Sequence, residues 1–290
     1  MSQQRLAASL EIDLASAEEI VSIIQDQDET IAKAMRSQAA NIARAIEAVA
    51  DRMRNGGKLV YAGAGTSGRI AMLDASELPP TYGVDASIAQ VLMAGGTNAF
   101  FSAAEGAEDN EEAGIEAVNA NVSPEDSLVG IAASGSTPFT VAAVRRANMI
   151  GALTIGVTST PGTPLARDPD IPIVVETGPE VIFGSTRMKA GTAQKLVLNT
   201  ISTGVMIQLG RVYSNLMIEM PATNAKLRSR SVSMVEIASG ATRPVASQAL
   251  EASGGSMKEA VIMARLGVDA EAARKMLASS GGNLRKVLSD

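Results

Sequence analysis

The chain has 290 residues, 46% of them hydrophobic, and it contains neither cysteine nor histidine. This length supports one α/β domain with a substantial core, and the missing residue types exclude disulfides, thiolate metal sites and a histidine general base. The formal charge of −6 argues against non-specific nucleic-acid binding, and the 2% aromatic content argues against stacking platforms for bases or sugar rings.

The N-terminal sequence MSQQRLAASLEIDL lacks the basic region and apolar core of a secretory signal. No apolar run in the chain approaches the roughly 18 residues that a membrane-spanning helix needs. We therefore expect a cytoplasmic protein that has no membrane and no nucleic acid among its partners.

Helical and strand patterns alternate through the first two thirds of the chain. An apolar-periodic helix is predicted over residues 29–55, ending at Gly56-Gly57, and further helical stretches are predicted near 67–73, 98–120 and 139–149. Strand candidates are Lys58–Ala62, Ala89–Met93, Leu128–Ala132, Leu153–Val157 and Ile171–Val175. This alternation predicts a parallel sheet covered on both faces, with a ligand crevice at the carboxyl ends of the strands.

The last third of the chain has helical patterns without strand candidates between them. A long apolar helix is predicted over residues 187–210, and its Thr, Ile and Val content requires burial to hold it. Short segments broken by glycines follow, and they predict a bundle of short helices. We place a boundary near residue 240, which gives a domain of residues 1–240 and a smaller one of residues 241–290.

A glycine-rich segment, Gly63–Arg69, lies between the first predicted strand and the next helix. Its glycines allow a tight turn close to a ligand, and Thr66 and Ser67 offer hydroxyl and N–H groups to phosphate oxygens. The segment fits neither a Walker A loop nor G-x-G-x-x-G, so a nucleotide is disfavoured. An ordinary turn between a strand and a helix is the competing interpretation.

A second loop of the same chemistry follows the third predicted strand. It contains Ser134, Ser136 and Thr137 before Pro138, and by itself it is typical of a capped helix N-terminus. Two such loops at the carboxyl ends of one parallel sheet open onto the same crevice, and together they favour a sugar phosphate. Backbone N–H groups at helix N-termini would supply positive potential in an acidic chain.

These two loops, together with two longer segments, resemble the sugar isomerase (SIS) superfamily and, within it, the N-acetylmuramic acid 6-phosphate etherases. The longer segments are LDASELPPT at residues 73–81 and GPEV at 178–181 followed by GSTRMKAGTAQK at 184–195. The second segment is also similar to the glucokinase regulatory protein, which binds phosphosugars without converting them. The resemblance covers nearly the whole chain.

The resemblance implies a fold and a ligand class. The expected fold is a three-layer α-β-α sandwich with a five-stranded parallel sheet, the SIS domain, followed by a small helical bundle that is UBA-like. The expected phosphosugar contacts are Thr66, Ser67, Ser134, Ser136 and Thr137. No cofactor is expected. No metal is expected either, because the chain has no Cys and no His and its predicted phosphate loops are rich in hydroxyl groups rather than carboxylates.

The resemblance also implies a reaction, the conversion of N-acetylmuramic acid 6-phosphate and water to N-acetylglucosamine 6-phosphate and D-lactate. The positions of Glu77 and Glu108 match the acid-base pair proposed for the family. We assign Glu77 as the acid toward the ether oxygen and Glu108 as the base at C2, which requires different environments for the two carboxyl groups. Without the resemblance, each would be interpreted as a surface carboxylate.

Two cations and the apolar helix complete the expectations. Arg187 and Lys189, at the predicted N-terminus of the long helix, are candidates to hold the lactyl carboxylate or another substrate oxygen, because positive charge is locally unfavourable there. The competing interpretation is a pair of surface cations. The apolar side chains of residues 197–209 suggest more buried surface than one sheet face absorbs, so we expect a homodimer.

Two alternative functions stay open on the sequence. An aldose-ketose isomerase of the same superfamily also removes a C2 proton, but such enzymes often use a histidine, which this chain lacks. A non-catalytic phosphosugar sensor is the other alternative. The regulatory protein that it would resemble carries two such sheets in a chain about twice as long.

Overall fold

A computed structural model describes residues 5–102 and 104–289. Within these residues, the strands are β1 (Leu59–Gly63), β2 (Ala89–Met93), β3 (Ser127–Ile131), β4 (Leu153–Thr158) and β5 (Ile171–Val174). The α-helices are α1 (Ala17–Arg36), α2 (Ala39–Arg54), α3 (Gly65–Tyr82), α4 (Glu111–Asn121), α5 (Pro138–Met149), α6 (Lys189–Gln208), α7 (Ala225–Ser239), α8 (Arg243–Ala252), α9 (Met257–Leu266), α10 (Ala270–Ser279) and α11 (Leu284–Ser289).

The five strands form one parallel sheet in the order β2-β1-β3-β4-β5. Gly63 at the end of β1 is level with Met93 of β2 on one side and with Ile131 of β3 on the other. The predicted five-stranded parallel sheet is therefore confirmed, and each strand lies within one residue of its predicted position.

The sheet is a buried layer because its strands are almost continuously apolar. Every residue of β1 and β3 is buried, as expected for strands covered on both faces. Helix α5 packs against β1, β3 and β4, helix α2 packs against β4 and β5, and α4 packs on α5. The helices thus flank the sheet as the predicted sandwich requires.

Two predicted helices are wrong in extent. Residues 29–55 do not form one helix, because α1 and α2 are separated at Ser37 and Gln38. The predicted helix over 98–120 is shorter than expected: the described residues 98–102 and 104–110 form short 3-10 turns, and α4 begins at Glu111. Gly96 just before this stretch and Gly106 within it adopt positive φ, and the Asn110 side chain accepts the Ala113 N–H where the helix begins.

Helix α3 continues through Pro79 and Pro80, although prolines inside a helix favour a stop. Each proline removes one N–H donor from the helix. The helix ends at Tyr82, so the loss falls in its final turns. Leu78 and Tyr82 on either side of the prolines are buried, and this burial offsets the missing hydrogen bonds.

The chain divides into two units. The first contains the sheet and comprises the residues up to Ser76 and Ser87–Thr203, and the second comprises Glu77–Ala86 and the residues from Gly204 onward. Helices α3 and α6 each contribute residues to both units.

The second unit is built from the short helices that the glycine pattern predicts. Asn224, Ser256 and Asp269 cap the N-termini of α7, α9 and α10 with their side chains, and Gly240 and Gly267 end α7 and α9 in the left-handed conformation. The unit takes in α7 as well as residues 241–290. A separate, UBA-like domain of residues 241–290 stays a prediction.

None of the described helices combines the length and the apolar content needed to cross a bilayer.

Candidate active site

The two Ser/Thr loops lie at neighbouring strand ends. Residues 64–67 follow β1 and residues 132–137 follow β3, and these strands pair directly. The connection after β1 runs to β2 on one side, whereas the connection after β3 runs to β4 on the other side. The direction of the connections therefore reverses between β1 and β3. In open α/β sheets such a topological switch point forms the ligand crevice. The expectation that both loops reach the same edge of the sheet is confirmed.

Each loop leads directly into a helix whose N-terminus lies at this edge. Helix α3 begins at Gly65, and the carbonyl of Ala64 accepts the N–H groups of Ser67 at 3.1 Å and Gly68 at 3.4 Å. Helix α5 begins at Pro138 with Thr137 as N-cap, but the Thr137 side chain accepts no capping hydrogen bond. Uncapped first-turn N–H groups attract anions.

Two hydroxyl groups of the second loop, those of Ser134 and Thr137, lie close to one another. The Oγ atom of Ser134 lies 3.5 Å from Oγ1 of Thr137 and accepts the N–H of Ser136 at 3.3 Å. Ser134 and Thr137 are half-buried and Ser136 is exposed, whereas in the first loop Thr66 is half-buried and Ser67 is buried.

Gly135 is required where it stands. Its φ is +69°, and a Cβ atom there would lie 2.0 Å from Oγ1 of Thr163 and 2.6 Å from Oγ1 of Thr158. The second loop therefore presses against the loop after β4, and any side chain at this position would separate them.

The loop after β4 is a third hydroxyl-bearing loop that the sequence analysis missed. Thr160 Oγ1 donates to the Ala133 carbonyl at 3.0 Å, and the Ser159 N–H donates to the same oxygen at 3.1 Å. The sequence Ser159-Thr160-Pro161-Gly162-Thr163 directly after a strand is the signal that would have revealed it, because it has the same composition as the other two loops.

The loop after β4 and Ala133 of the second loop border a cavity of about 570 Å³ at the strand ends of β3, β4 and β5. The five predicted phosphosugar contacts, Thr66, Ser67, Ser134, Ser136 and Thr137, are not among the residues that line it. Polar or charged side chains in its wall belong to Ser159, Thr160, Glu176, Thr177, Glu180 and Thr186. Thr66 lies near this wall, because Gly191 is close both to Thr66 and to Thr186. A Cβ atom on Gly191 would lie 3.7 Å from Cγ2 of Thr66 and 3.7 Å from the carbonyl oxygen of Thr186. The cavity has the size and mixed lining of a small-molecule site.

Lys189 lies close to this cavity and is buried, with 2% of its surface exposed. Its Nζ donates to Oε1 of Gln27 on α1 at 3.1 Å and lies 3.9 Å from where a Cβ atom of Gly178 would stand. Burial lowers the pKa of this ammonium, while the nearby carboxylates of Glu180 and Asp28 oppose the shift. The alternative interpretation of Lys189 as a surface cation is wrong, whereas Arg187 is exposed in the turn before α6.

Glu180 caps helix α6. Its two carboxylate oxygens accept the N–H groups of Lys189 and Ala190, both at 3.0 Å. This negative charge at the helix N-terminus offsets the unfavourable position of the two cations there.

Glu108 is exposed in the 3-10 turn Ala107–Asp109 and lines a second cavity of about 370 Å³. Gly65 and Arg69, from the first turns of α3, share this cavity. The Arg69 guanidinium donates to the carbonyls of Ala99, Phe100 and Ser102 at 2.9–3.1 Å. It thereby ties the segment before Glu108 to the start of α3.

Glu77 is exposed on α3 and is the first residue of the second unit. The structure places Glu108 in the first unit together with the hydroxyl-bearing loops, Arg187 and Lys189. The pairing of Glu77 with Glu108 in one reaction stays a prediction.

A buried hydrogen-bond cluster holds the middle of α3. Asp74 accepts hydrogen bonds from Tyr61 Oη at 2.6 Å, Asn199 Nδ2 at 2.5 Å and Ser202 Oγ at 2.9 Å. Burial, and then the Asp74 charge, raise the pKa of Tyr61 well above its ordinary value. The cluster joins β1, α3 and α6.

Across residues 5–102 and 104–289, Asp and Glu side chains do not gather in groups of three or more that would suit a metal ion. Metal independence stays a prediction.

Comparisons with solved structures bear on the fold. Phosphoheptose isomerase GmhA from Neisseria gonorrhoeae matches with a TM-score of 0.51 at 19% identity, over 66% of this chain and 99% of that one. Residues 41–148 match the family model described as the glucokinase regulatory protein N-terminal SIS domain. The SIS-type sheet that the sequence resemblance implied is thus confirmed.

Comparisons with curated proteins bear on the family. The chain is 52% identical to the N-acetylmuramic acid 6-phosphate etherase of Symbiobacterium thermophilum, over 92% of this chain and 89% of that protein. It is 44% identical to the protein of the same name from Clostridium beijerinckii, over 99% and 95% of the two chains. The protein of that name from Deinococcus radiodurans is 43% identical, over 97% and 92%. The chain therefore belongs to the N-acetylmuramic acid 6-phosphate etherase family.

Proposed function

We propose that this protein is a lyase that cleaves the D-lactyl ether of N-acetylmuramic acid 6-phosphate, yielding N-acetylglucosamine 6-phosphate and D-lactate. The observation that carries the proposal is the sequence identity of 52% to an etherase over 92% of this chain. It is combined with two hydroxyl-bearing loops at the switch point of a SIS-type sheet. The same reaction places the protein in the catabolism of cell-wall amino sugars.

The phosphate group is assigned to the switch point. The N-termini of α3 and α5 offer N–H groups there, and Thr66, Ser67, Ser134, Ser136 and Thr137 add hydroxyl groups. Neutral donors of this kind bind a phosphate in a protein with a formal charge of −6 without a cluster of basic side chains.

The chemistry is an elimination followed by an addition. An alkyl ether resists direct hydrolysis, but the open-chain sugar has an aldehyde at C1 that acidifies the C2 proton. Glu108 as base removes this proton, the C2–C3 double bond forms, and the lactate oxygen leaves C3 with a proton from Glu77. Water then adds its oxygen to C3 and a proton returns to C2. General acid and general base catalysis supply both proton transfers.

Lys189 and Arg187 are proposed to bind the lactyl carboxylate or another substrate oxygen. The burial of Lys189 beside the larger cavity supports this assignment, since a desolvated ammonium gains more from an anionic ligand than a solvated one does. Arg187 is exposed two residues earlier.

We also propose a homodimer. Four of the apolar residues of the long helix that suggested it are already buried within the single chain, namely Val197, Leu198, Ile201 and Val205, whereas Ile207 on the same helix is 52% exposed. Support comes instead from α1, whose one buried residue among its described positions is Ile31, while Val21 is 52% exposed. Leu14, just before the helix, is 80% exposed. We propose that these exposed apolar side chains pack against a second copy of the chain.

The predicted cytoplasmic location is retained as part of the proposal. Fractionation of cells that express the protein tests it.

Release of D-lactate from N-acetylmuramic acid 6-phosphate tests the function and separates it from the alternatives. A phosphosugar sensor binds the substrate and releases no lactate, whereas an isomerase exchanges the C2 proton and releases none. The etherase both exchanges the C2 proton and releases lactate.

The roles of the two carboxylates are separable in deuterated solvent. We expect Glu77→Gln to exchange the C2 proton while releasing little lactate, and Glu108→Gln to lose both activities. Each lost activity should fall by a factor on the order of 10² to 10⁴. Mass spectrometry measures the exchange, and an enzymatic assay measures the lactate.

Glu116→Gln is the matched control, because Glu116 is an exposed carboxylate on the neighbouring helix α4. If Glu108→Gln exchanges normally and Glu77→Gln does not, the two roles are reversed. If neither substitution lowers lactate release by about tenfold, the paired-carboxylate mechanism is wrong.

A further inference from the structure

The segment that carries Glu77 belongs to the unit of C-terminal helices. Residues Glu77–Ala86 group with the chain from Gly204 onward, and not with the sheet that precedes them. We infer that the C-terminal helical unit holds Glu77 in place through an ion cluster of Arg211, Glu219 and Lys258, which makes Lys258 a positioning residue. This inference rests on the acid role proposed for Glu77.

The end of α3 contacts the backbone of Glu219 directly. Gly83 follows the last helical residue with a φ of +61°, and its N–H donates to the Pro79 carbonyl at 3.0 Å. A Cβ atom at Gly83 would lie 2.3 Å from the Glu219 carbonyl oxygen. Only glycine permits this approach, so the position of Glu219 determines where the helix ends.

The side chain of Glu219 is in turn fixed by two cations. Its Oε2 accepts from Nη1 of Arg211 at 2.5 Å, and its Oε1 forms an ion pair with Nζ of Lys258. Lys258 is 5% exposed, and its Nζ also donates to the Gly282 carbonyl at 2.7 Å. A buried ammonium with two such partners has little freedom to move.

Helix α9 anchors Lys258. The residues that follow it on this helix, Ala260, Val261 and Ile262, are buried in the core of the second unit. The contacts thus run from the core through Lys258 and Glu219 to Gly83, six positions after Glu77 along the chain.

The burial pattern of the last turns of α3 sets the direction of Glu77. Leu78 is buried, as are Tyr82 and Val84, whereas Glu77 is exposed. Rotation of these turns about the helix axis would expose Leu78, so fixing the segment also fixes the face on which Glu77 lies.

Removal of one partner of a buried ion pair also destabilises a protein, and a purely structural role for Lys258 predicts different kinetics from a positioning role. Loss of stability alone lowers the fraction of folded enzyme and leaves the KM and the ratio of exchange to lactate release unchanged. Misplacement of an acid lowers kcat for the step that uses the acid.

The test is a double-mutant cycle of Lys258→Met with Glu77→Gln in the full chain. We expect Lys258→Met to lower kcat for lactate release about ten- to hundredfold, as small displacements of a reacting group do, with little change in KM or in C2 exchange. In the Glu77→Gln background, Lys258→Met should lower lactate release no further, because the group that it positions is already gone.

Lys275→Met is the control for the loss of a paired lysine in the same unit, since Lys275 forms an exposed ion pair with Glu271. It should leave kcat unchanged. Arg211→Gln gives an independent readout if Lys258→Met does not fold, because Arg211 contacts the same carboxylate from a more exposed position. Lys258→Arg should restore part of the activity.

The outcomes separate the inference from the proposed function. Glu77→Gln that releases lactate at the normal rate refutes the acid role, and the inference fails with it. If Glu77→Gln is impaired but Lys258→Met lowers lactate release by the same factor in both backgrounds, the inference alone is refuted. An unchanged kcat in both Lys258→Met and Arg211→Gln refutes it as well.

Discussion

Asp74 is a buried carboxylate whose described partners are neutral donors. Tyr61, Asn199 and Ser202 all donate to it. A buried charge costs free energy unless hydrogen bonds replace its hydration, and three donors do so here. The cluster fixes the position of α3 three residues before Glu77, and its members come from segments far apart in the sequence.

Tyr61→Phe should destabilise the protein and change how its stability depends on pH. Removal of a hydrogen bond to a charged acceptor lowers the free energy of unfolding by about 1.5–3 kcal/mol. The raised pKa of Tyr61 means that, above its ordinary value of 10.0, the unfolded chain loses this proton while the folded chain keeps it. The free energy of unfolding therefore falls as the pH rises past that value.

Urea unfolding at several pH values measures both effects. At alkaline pH, the free energy of unfolding of Tyr61→Phe should fall less steeply than that of the wild type. Tyr213→Phe is the control, because the Tyr213 hydroxyl has a 3.3 Å contact with Arg265 in the second unit. Equal losses of stability in the two variants would show that the hydrogen bond from Tyr61 to Asp74 contributes no more free energy than the contact of Tyr213 with Arg265.

At the scale of elements, α6 depends on a cap supplied from outside its own first turn. Glu180 lies nine residues before Lys189 and accepts two N–H groups of the helix. The same loop borders the larger cavity. Stability of the helix and shape of the candidate site are therefore linked through one side chain.

Glu180→Ala should lower the free energy of unfolding by about 1–2 kcal/mol, because two N–H groups lose their acceptor and the helix loses a favourable charge. Glu176→Ala is the control, since Glu176 is exposed in the same loop and lines the same cavity. It should change stability by less than about 0.5 kcal/mol. Chemical denaturation measures both, and indistinguishable values would contradict the capping role.

At the scale of the whole molecule, the proposed dimer depends on α1. We expect the wild type to sediment as a dimer at micromolar concentration and Val21→Glu to sediment as a monomer, because a carboxylate would be desolvated in the interface. Ile237→Glu is the control at an exposed apolar residue on α7. A wild type that is monomeric, or a Val21→Glu variant that stays dimeric, would refute the interface.

The sequence by itself determined the strands, the loops and the family. Apolar runs and glycine positions are local signals, so the strands were placed within one residue and the short C-terminal helices were expected. The loops containing Thr66 and Ser134 were found because their residue types are typical of phosphate binding directly after a strand. The segments at 73–81 and 184–195 indicated the family, since they are contiguous along the chain.

The tertiary structure alone decided which of these pieces meet. Strand order brings the loop after β1 next to the loop after β3, and it adds Thr160 from the loop after β4, which the sequence analysis passed over. The tertiary structure also decides that Lys189 is buried, that Glu180 caps α6 and that Gly83 contacts Glu219. Each of these depends on residues that are apart in the sequence, which a local pattern does not relate to one another. Helix α3 passes through two prolines for the same reason, because local propensity favours a stop and burial of the flanking Leu78 and Tyr82 outweighs it.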